Sequence, residues 1–462
     1  MTIEVLPDDV FLDIFELYMR QARRRSSEGI EAWHTLVHVC RHWRNIVFGS
    51  PLRLNLQLLC TSSTPVRERL DVWPALPICV RDEGAISDLD NIIAVLDHND
   101  RICEISLCEV SNRLLERVYV ALMKEPFPAL TQLDLQANYD ATTPAIPPEP
   151  FRGGIVPRLQ ELSLDGIPIL DLPKLLLSAT HLVDLALCNI PNPGYISPEA
   201  VVACLSALTS LEGFHLDFQL PQSYPDREIL RPRQPTRSVL PSLATFAFGG
   251  ISKYLEDFVA RIDAPRLSHL RITFVNHTVF DTSQLVHFIN YTPCLKAPDE
   301  VHVAFHDFSV FVTLSSPTHG FEEPDVKIVC IGSDGRLSSL AAQVCSSFSP
   351  SLSMVESLYI YQHQYSEPKW QDDGIENTIW LELFRPFTIL KNLYLCKLFA
   401  PRVAPSLQVL VKENMRQVLP VLQDVALEGL QPSGPVQEGI AQFVAARRLA
   451  GHPIAVSDWV RT

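Results

Sequence analysis

The sequence predicts a mixed α/β chain, in which a pair of N-terminal helices precedes a long array of short parallel strands and return helices. Two observations support this fold class. Two apolar patterns at helical spacing lie in about the first fifty residues, and nine copies of one apolar pattern follow them. With 462 residues, the chain is longer than a usual compact domain, so we expect several domains or an elongated array.

The first helical pattern starts at Pro7, whose missing N–H suits the first turn of a helix. Its apolar positions are Val10, Phe11, Ile14, Phe15 and Tyr18. The second pattern consists of Trp33, Leu36, Val37, Cys40, Trp43 and Val47, with Val39 and Ile46 widening it. We expect two amphipathic helices that bury these stripes on each other and leave apolar surface for a partner. On pattern alone, a simple cap on the array explains the pair equally well.

One pattern recurs along the rest of the chain: an apolar residue, two variable residues, an apolar residue, one variable residue and an apolar residue. Its nine copies start at Leu130, Leu159, Leu182, Leu211, Leu243, Leu267, Val355, Leu390 and Leu422. The start-to-start spacings are 29, 23, 29, 32, 24, 88, 35 and 32 residues. Most fall near the upper end of the leucine-rich repeat period of roughly 20–29 residues. The long interval is expected to contain about three degenerate units.

The repeat pattern predicts an irregular leucine-rich-repeat solenoid, a horseshoe with a parallel sheet on its concave side. The three apolar positions of each strand should point into the core, and the residues between them onto the concave face. Return helices are expected at 172–179 and 199–208, and β-rich stretches at 301–305, 308–314 and 326–331 should continue the sheet, as hairpins. The repeat is irregular because its usual asparagine occurs only as Asn138.

Both ends of the first fifty residues resemble the F-box family, over residues 6–54. The first end is Leu6-Pro7-Asp8-Asp9 and the second is Val39-Cys40-Arg41-His42-Trp43-Arg44, with residues 20–31 as an insertion relative to the family pattern. Together with irregular repeats, they resemble F-box proteins of mushroom-forming fungi. The resemblance implies docking to a Skp-type adaptor and, through it, to a cullin ubiquitin ligase. It implies that the residues that contact the adaptor, or hold the helices that do, are Leu6, Pro7, Ile14, Phe15, Val39, Cys40 and Trp43.

The resulting division of the chain is an F-box-like helical domain at 1–54, the solenoid at 55–435 and a C-terminal cap of a helix and a short strand at 436–462. The concave face is the candidate target-binding surface. Its candidate residues are Asp134, Glu161, Asp165, Asp184, His215, Asp217, Arg271, Tyr359, Tyr361 and Tyr394. An acidic first half and a tyrosine-bearing second half favour a basic target segment with an apolar anchor.

Several classes of function are not expected. The net charge of −15 argues against nucleic acid as the partner, and no apolar run is long enough to span a membrane. Cysteines within apolar runs, such as Cys40, Cys188, Cys330 and Cys396, indicate buried thiols in a reducing compartment, hence the cytoplasm or nucleus. His34, His38 and His42 share a helical face but lack a carboxylate or cysteine at ligand spacing, so we expect no metal and no cofactor.

The sequence contains neither the Gly-x-Ser-x-Gly motif of a nucleophilic serine nor a phosphate-binding loop. We therefore expect that the protein is not an enzyme. The leading hypothesis is a substrate-receptor subunit of an SCF-type ubiquitin ligase. Two alternatives remain open. One is a leucine-rich-repeat interaction scaffold without a ligase, and the other is a hydrolase with a site in residues 275–354, where the repeat pattern fails.

Overall fold

The computed structural model of the protein describes residues 6–24, 27–82, 89–138, 156–168, 172–219, 237–275, 282–295, 298–315, 326–332, 337–363, 376–412, 418–429 and 434–460. The chain forms two compact units, Met1–Ile196 and Ser197–Thr462. The division into 1–54, 55–435 and 436–462 stays a prediction.

The first unit begins with helices and continues as a parallel sheet with helices between its strands. Its helices are α1 Asp8–Arg23, α2 Trp33–Val37, α3 Arg41–Gly49, α4 Val66–Val72, α5 Leu89–Leu96, α6 Asn112–Lys124 and α7 Leu172–Ser178, with 3-10 turns at Ser27–Glu31 and Asn192–Gly194. Its strands are β1 Leu58–Cys60, β2 Ile78–Asp82, β3 Ile102–Val110, β4 Gln132–Ala137, β5 Glu161–Asp165 and β6 Asp184–Ile190. These strands pair in chain order, and every pair is parallel.

The second unit is also a sheet with helices between most strands. Its helices are α8 Pro198–Leu205, α9 Ser252–Val259, α10 Ser283–Tyr291, α11 Leu337–Ser347, α12 Ser349–Leu352, α13 Glu376–Phe384, α14 Ala400–Lys412 and α15 Pro435–Leu449. Its strands are β7 Gly213–Phe218, β8 Ser238–Val239, β9 Thr245–Gly250, β10 Ile262–Asp263, β11 His269–Val275, β12 Glu300–His306, β13 Ser309–Ser315, β14 Val326–Ile331, β15 Ser357–Gln362, β16 Asn392–Leu395, β17 Asp424–Glu428 and β18 Ala455–Trp459. Strands β8 and β10 form a separate small sheet.

The main sheet of the second unit has one reversal of strand order. Its order is β7-β9-β11-β14-β13-β12-β15-β16-β17-β18. Strand β13 is antiparallel to both of its neighbours, whereas β11–β14 and β12–β15 are parallel pairs. The long interval in the repeat pattern therefore contains a three-stranded antiparallel meander rather than three strand–helix units. The expectation that its β-rich stretches continue the sheet as hairpins is confirmed.

The predicted repeat strands are confirmed. Each of the nine matches forms a strand of a main sheet, and all three apolar positions of each match are buried. Register supports the repeat directly, because Leu133, Leu162 and Leu185 are partners across β4, β5 and β6. The return helices at 172–179 and 199–208 are present as α7 and α8, and α15 with β18 forms the expected final helix and strand.

Three strands before Leu130 were not predicted. Strand β3 contains the same pattern with isoleucine at two positions, Ile102, Ile105 and Leu107, and all three side chains are buried. Strands β1 and β2 are short and do not complete the pattern, although Leu58, Ile78 and Val80 are also buried.

The predicted two-helix pairing is wrong in two respects. The second helical pattern is broken into α2 and α3, because Cys40 is extended, with φ −158° and ψ 169°, and its Sγ accepts the Trp43 backbone N–H at 3.4 Å at the start of α3. The first stripe is also split. Phe11 and Phe15 are buried, whereas Val10, Ile14 and Tyr18 are exposed, because these two sets lie on different faces of α1.

Candidate functional site

Helix α1 has two apolar faces, and one of them is buried against the rest of the first unit. The covered face consists of Phe11, Leu12, Phe15 and Met19, which are at most 7% exposed. The other face consists of Val10, Ile14, Leu17 and Tyr18, which are 39–66% exposed and recur at helical spacing. Leu6, 38% exposed, precedes this second face. We call Leu6, Val10, Ile14, Leu17 and Tyr18 the exposed apolar stripe.

The predicted adaptor-binding residues divide into surface and core positions. Leu6, Pro7, Ile14, Val39 and Cys40 are exposed. Phe15 is buried, and the half-buried Trp43 ring lies 4.8 Å from it between centroids. Phe15 and Trp43 therefore hold α1 against α3. The prediction that Cys40 is buried is wrong, since this thiol is an exposed helix cap. Of the other cysteines predicted to be buried, Cys330 and Cys396 are buried and Cys188 is half-buried.

The covered side of α1 belongs to a hydrophobic core that continues into the sheet. Trp33 is fully buried in this core, and its indole N–H donates to the Gln57 carbonyl oxygen at 2.9 Å. The core extends through Leu54, Leu56 and Leu58 of the segment that leads into β1. The helices that position the exposed apolar stripe are thus fixed to the first strand of the array.

A polar cluster around Glu31 fixes the same helices. Glu31 forms an ion pair with Arg69 of α4, and Oε1 of Glu31 accepts the Leu59 backbone N–H at 2.7 Å. The side chains of Glu31 and Arg69 are 14% and 22% exposed. Gly29 lies close against the end of α1, because a Cβ at this position would be 2.2 Å from the Ala22 carbonyl oxygen.

Of the three histidines of the second pattern, His34 and His38 both contact Trp73, and His42 is separate from them. His34 stacks on Trp73 at 4.7 Å and lies 3.8 Å from Glu31, whereas His42 lies on α3, 3.3 Å from Asp8. His38 makes an edge contact with Trp73 at 6.4 Å. The separation of His42 from the other two follows from the break between α2 and α3. Among the residues that the structure describes, no group of three or more His, Cys, Asp or Glu side chains could hold a metal ion.

Burial lowers the pKa of His34 below its ordinary value of 6.5, and Glu31 opposes this while Arg69 and His38 reinforce it. The unfolded chain therefore takes up the proton first as the pH falls. The stability conferred by neutral His34 is present above about pH 6.5 and is lost as the pH falls through the folded-state pKa.

We expect His34→Phe, which keeps a ring on Trp73, to reduce the decline in urea midpoint between about pH 7 and pH 5. The exposed control His181→Phe should retain the full decline; equal slopes in both variants would contradict the prediction.

The open face of the first sheet is acidic, as expected, but its carboxylates have hydrogen-bonding neighbours. Glu104, Gln132, Glu161 and Asp184 occupy consecutive register positions across four strands. Asp134 accepts from Ser106 Oγ at 3.2 Å, and Asp165 accepts from Asn189 Nδ2 at 2.8 Å. Glu161 and Asp184 are exposed. The register brings the predicted target residues Asp134, Glu161, Asp165 and Asp184 onto one face.

In the second unit the structure brings only some predicted target residues together. Tyr359 and Tyr394 are register partners, and their rings stack at 4.2 Å. Arg271 lies on β11, which β14, β13 and β12 separate from the tyrosine strands, and His215 and Asp217 lie farther along the sheet on β7. Two residues that sequence reasoning missed join the tyrosines. They are His302, stacked on Tyr359 at 4.3 Å, and Trp459, 5.7 Å from Tyr394.

A signal for both residues was present in the sequence. In the alternating β-rich run, His302 lies two residues after Glu300 and between the buried Val301 and Val303. Alternation therefore places the His302 side chain on the open face of the sheet, together with that of Glu300. Trp459 ends the predicted terminal strand. Tyr361, which was predicted, contacts the His302 ring edge-on at 5.9 Å.

No family model matches the sequence, and no curated protein matches it. Among solved structures, the chain is similar to the leucine-rich repeat-containing protein LegL7 from Legionella pneumophila, at 13% identity over 86% of this chain and 97% of that chain, with a TM-score of 0.26. A likeness at that TM-score does not define the fold, which follows from the strand order and the buried leucine positions. On those grounds the protein is a mixed α/β repeat protein of strand–helix units. In the described ranges, no helix is long and apolar enough to cross a membrane.

Proposed function

We propose that the protein is a substrate-receptor subunit of an SCF-type cullin ubiquitin ligase. The N-terminal helices dock to the Skp-type adaptor, and the open sheet face holds a target protein. The chain itself performs no chemistry; it brings the target close to the ubiquitin-transferring subunits. A cytoplasmic or nuclear location belongs to this proposal.

The observation that supports docking is the exposed apolar stripe on α1. A helix that has already buried one apolar face has no structural need for a second one, and a continuous exposed stripe at helical spacing is typical of a surface that a partner covers. Val39, 55% exposed, adds an apolar side chain at the other end of the F-box resemblance. Asp8 and Asp9 in the first turn of α1 place polar groups at one end of this stripe, and a polar rim is usual in protein interfaces.

The alternative is an interaction scaffold whose helices only cap the array. The shared core of Trp33, Leu56 and Leu58 favours a capping role. Capping does not account for the exposed apolar stripe, since a cap needs a polar outer face. Capping the array and docking to an adaptor are compatible roles. The exposed apolar stripe is the feature that a docking cap needs and a simple cap does not.

The decisive experiment is co-purification of the full chain with a Skp-type adaptor. We expect a stable complex that Ile14→Asp or Leu17→Asp abolishes, because a carboxylate at the centre of an apolar contact remains buried without a partner. A loss of at least about 100-fold in affinity corresponds to roughly 2.7 kcal/mol, which is ordinary for a central interface residue.

Leu177→Asp is a matched control, because Leu177 is 69% exposed on α7 and Leu17 is 66% exposed on α1. It should bind the adaptor like the unmodified chain. Variants of Trp43 are less informative, since its ring packs on Phe11 and Phe15. Failure of the unmodified chain to bind at micromolar concentration, or equal binding by Leu17→Asp, would refute the docking role.

A further inference from the structure

Four aromatic side chains form a continuous surface on the open face of the second unit. His302, Tyr359 and Tyr394 are successive register partners on β12, β15 and β16. Their rings are almost parallel, with interplanar angles of 4° and 7° at 4.3 and 4.2 Å. The Trp459 ring meets Tyr394 at 5.7 Å and Tyr359 at 6.0 Å. We call these four residues the aromatic platform.

Trp459 reaches the tyrosines across an intervening strand. Strand β17 lies between β16 and β18, so the backbones that bear Tyr394 and Trp459 are roughly 10 Å apart. A ring separation of 5.7 Å therefore requires the indole to lie over β17. The residue of β17 in register with Tyr394 is Ala426, 3% exposed, whose small side chain leaves room for the indole. The platform is thus one surface, and all four of its residues are only half-buried.

The charged residues within the strands of the platform are all acidic, whereas Lys391 and Lys397 flank β16 and Lys391 is paired with Glu356. The five strands β12, β15, β16, β17 and β18 contain four acidic residues and no Lys or Arg. Glu428 is the register partner of Trp459 at one end of the platform. At the other end, Glu300 Oε1 accepts from the Tyr359 hydroxyl at 3.5 Å. Burial lowers the pKa of His302, with Glu300 opposing this shift, so that the imidazole is neutral at neutral pH and adds no positive charge.

Both faces of Tyr359 are covered by His302 and Tyr394, so the ring faces left for a cation at this end are those of Tyr394 and Trp459. Aromatic faces bordered by carboxylates attract cations, since the ring quadrupole and the negative charge act in the same direction. A guanidinium suits this arrangement better than an ammonium, because it is planar, stacks on rings and donates two parallel N–H groups to a carboxylate. Nucleic acid is disfavoured, because the carboxylates repel phosphate. A contact of this kind is present within the same sheet, where Nζ of Lys327 on β14 lies 5.3 Å from the ring centroid of Phe311 on β13.

We propose that the aromatic platform binds an arginine side chain of the target protein. The guanidinium stacks on the platform at its Trp459 end and pairs with the carboxylate of Glu428. This inference deepens the proposed function, since it rests on the sheet face that holds the target, and it names the chemistry that the face selects.

The test is isothermal titration of the full chain, without adaptor, against an acetylated and amidated (Gly-Arg)₃ peptide. The same peptide with citrulline in place of arginine is the matched probe, because citrulline retains the shape and loses the charge. Tyr394→Leu removes a stacking ring, and Glu428→Gln removes a charge while keeping an acceptor for the Lys397 backbone N–H. Tyr291→Leu is the control, because Tyr291 is 71% exposed on α10, outside the platform.

We expect the arginine peptide to bind, and citrulline, Tyr394→Leu and Glu428→Gln each to weaken binding by about tenfold, as a partly desolvated cation–π or ion-pair contact implies. Tyr291→Leu should have no effect. No binding of the arginine peptide up to about 1 mM, the limit of useful affinity, overturns the inference. Equal binding of the citrulline peptide, or unchanged binding by a folded Tyr394→Leu, also overturns it. Because the adaptor is absent, failed adaptor docking leaves this result intact.

Discussion

Trp33→Ala is expected to lower the free energy of unfolding of the first unit by about 3–5 kcal/mol, the usual range for a large aromatic residue removed from a core. Trp33 is fully buried, contacts Trp73 at 5.1 Å and Phe48 at 5.8 Å, and donates its indole N–H to Gln57. Alanine would leave a cavity where the N-terminal helices meet β1 and would leave that carbonyl without its donor. Hydrogen exchange of the α2 and β1 amides across a urea series measures the loss.

Two variants separate this effect from a general sensitivity of the region. Trp33→Phe keeps most of the ring and loses only the hydrogen bond and some volume, so we expect about 1–2 kcal/mol. Val72→Ala removes an apolar side chain that is 72% exposed on α4, and it should change stability by less than about 0.5 kcal/mol. A loss below about 1 kcal/mol in Trp33→Ala would mean that the helices are not fixed to the sheet through this core.

Glu31→Ala is expected to destabilise the same unit by about 3 kcal/mol, because removing one partner of a mostly buried ion pair leaves the other unpaired. Arg69 would lose its carboxylate, and the Leu59 backbone N–H would lose its acceptor. Urea unfolding followed by hydrogen exchange at β1 and α4 checks the value. Glu31→Gln keeps an acceptor for Leu59 and should lose less.

The matched control is an exposed ion pair in the same unit. Arg53 and Asp13 lie 2.5 Å apart with side chains 41% and 68% exposed, so Asp13→Ala should cost less than about 1 kcal/mol. If Glu31→Ala and Asp13→Ala proved equal, the ion pair between Glu31 and Arg69 would be a surface feature rather than a structural connection.

The repeat strands could be predicted because each requires a burial pattern that the sequence shows directly. The second and third apolar positions of every match are buried because side chains alternate along a strand beside a hydrophobic core, and the first position, which precedes the strand, is buried as well. Strand β3 also fits the apolar pattern, through Ile102, Ile105 and Leu107, so it could have been predicted from the sequence in the same way. The hairpins of the meander could be predicted from its β-rich stretches, but its reversed strand order could not, since β-propensity says nothing about which strand is the neighbour of which.

The candidate sites were only partly predictable. Helical spacing predicted one apolar stripe on α1, and the structure divides it into a covered and an exposed face, because the covered side depends on where α3 and Trp43 lie. The break at Cys40 was hidden by continuous apolar spacing. Tyr359 and Tyr394 could be assigned to one face from the repeat, whereas Trp459 joins them only because Ala426 is small and the indole crosses β17.

The reversed strand order at β12–β14 has a kinetic consequence. Elsewhere a strand of the main sheet pairs with the previous strand of that sheet, as Leu393 does with Leu358, 35 positions away. Here Leu270 pairs with Val326, 56 positions away, and Glu300 pairs with Ser357, 57 positions away. Both pairings require closure of longer loops before either contributes stability, which raises the local contact order. In repeat arrays folding propagates from neighbour to neighbour; in this unit it must cross the meander in one cooperative step, and that step is expected to limit the folding rate.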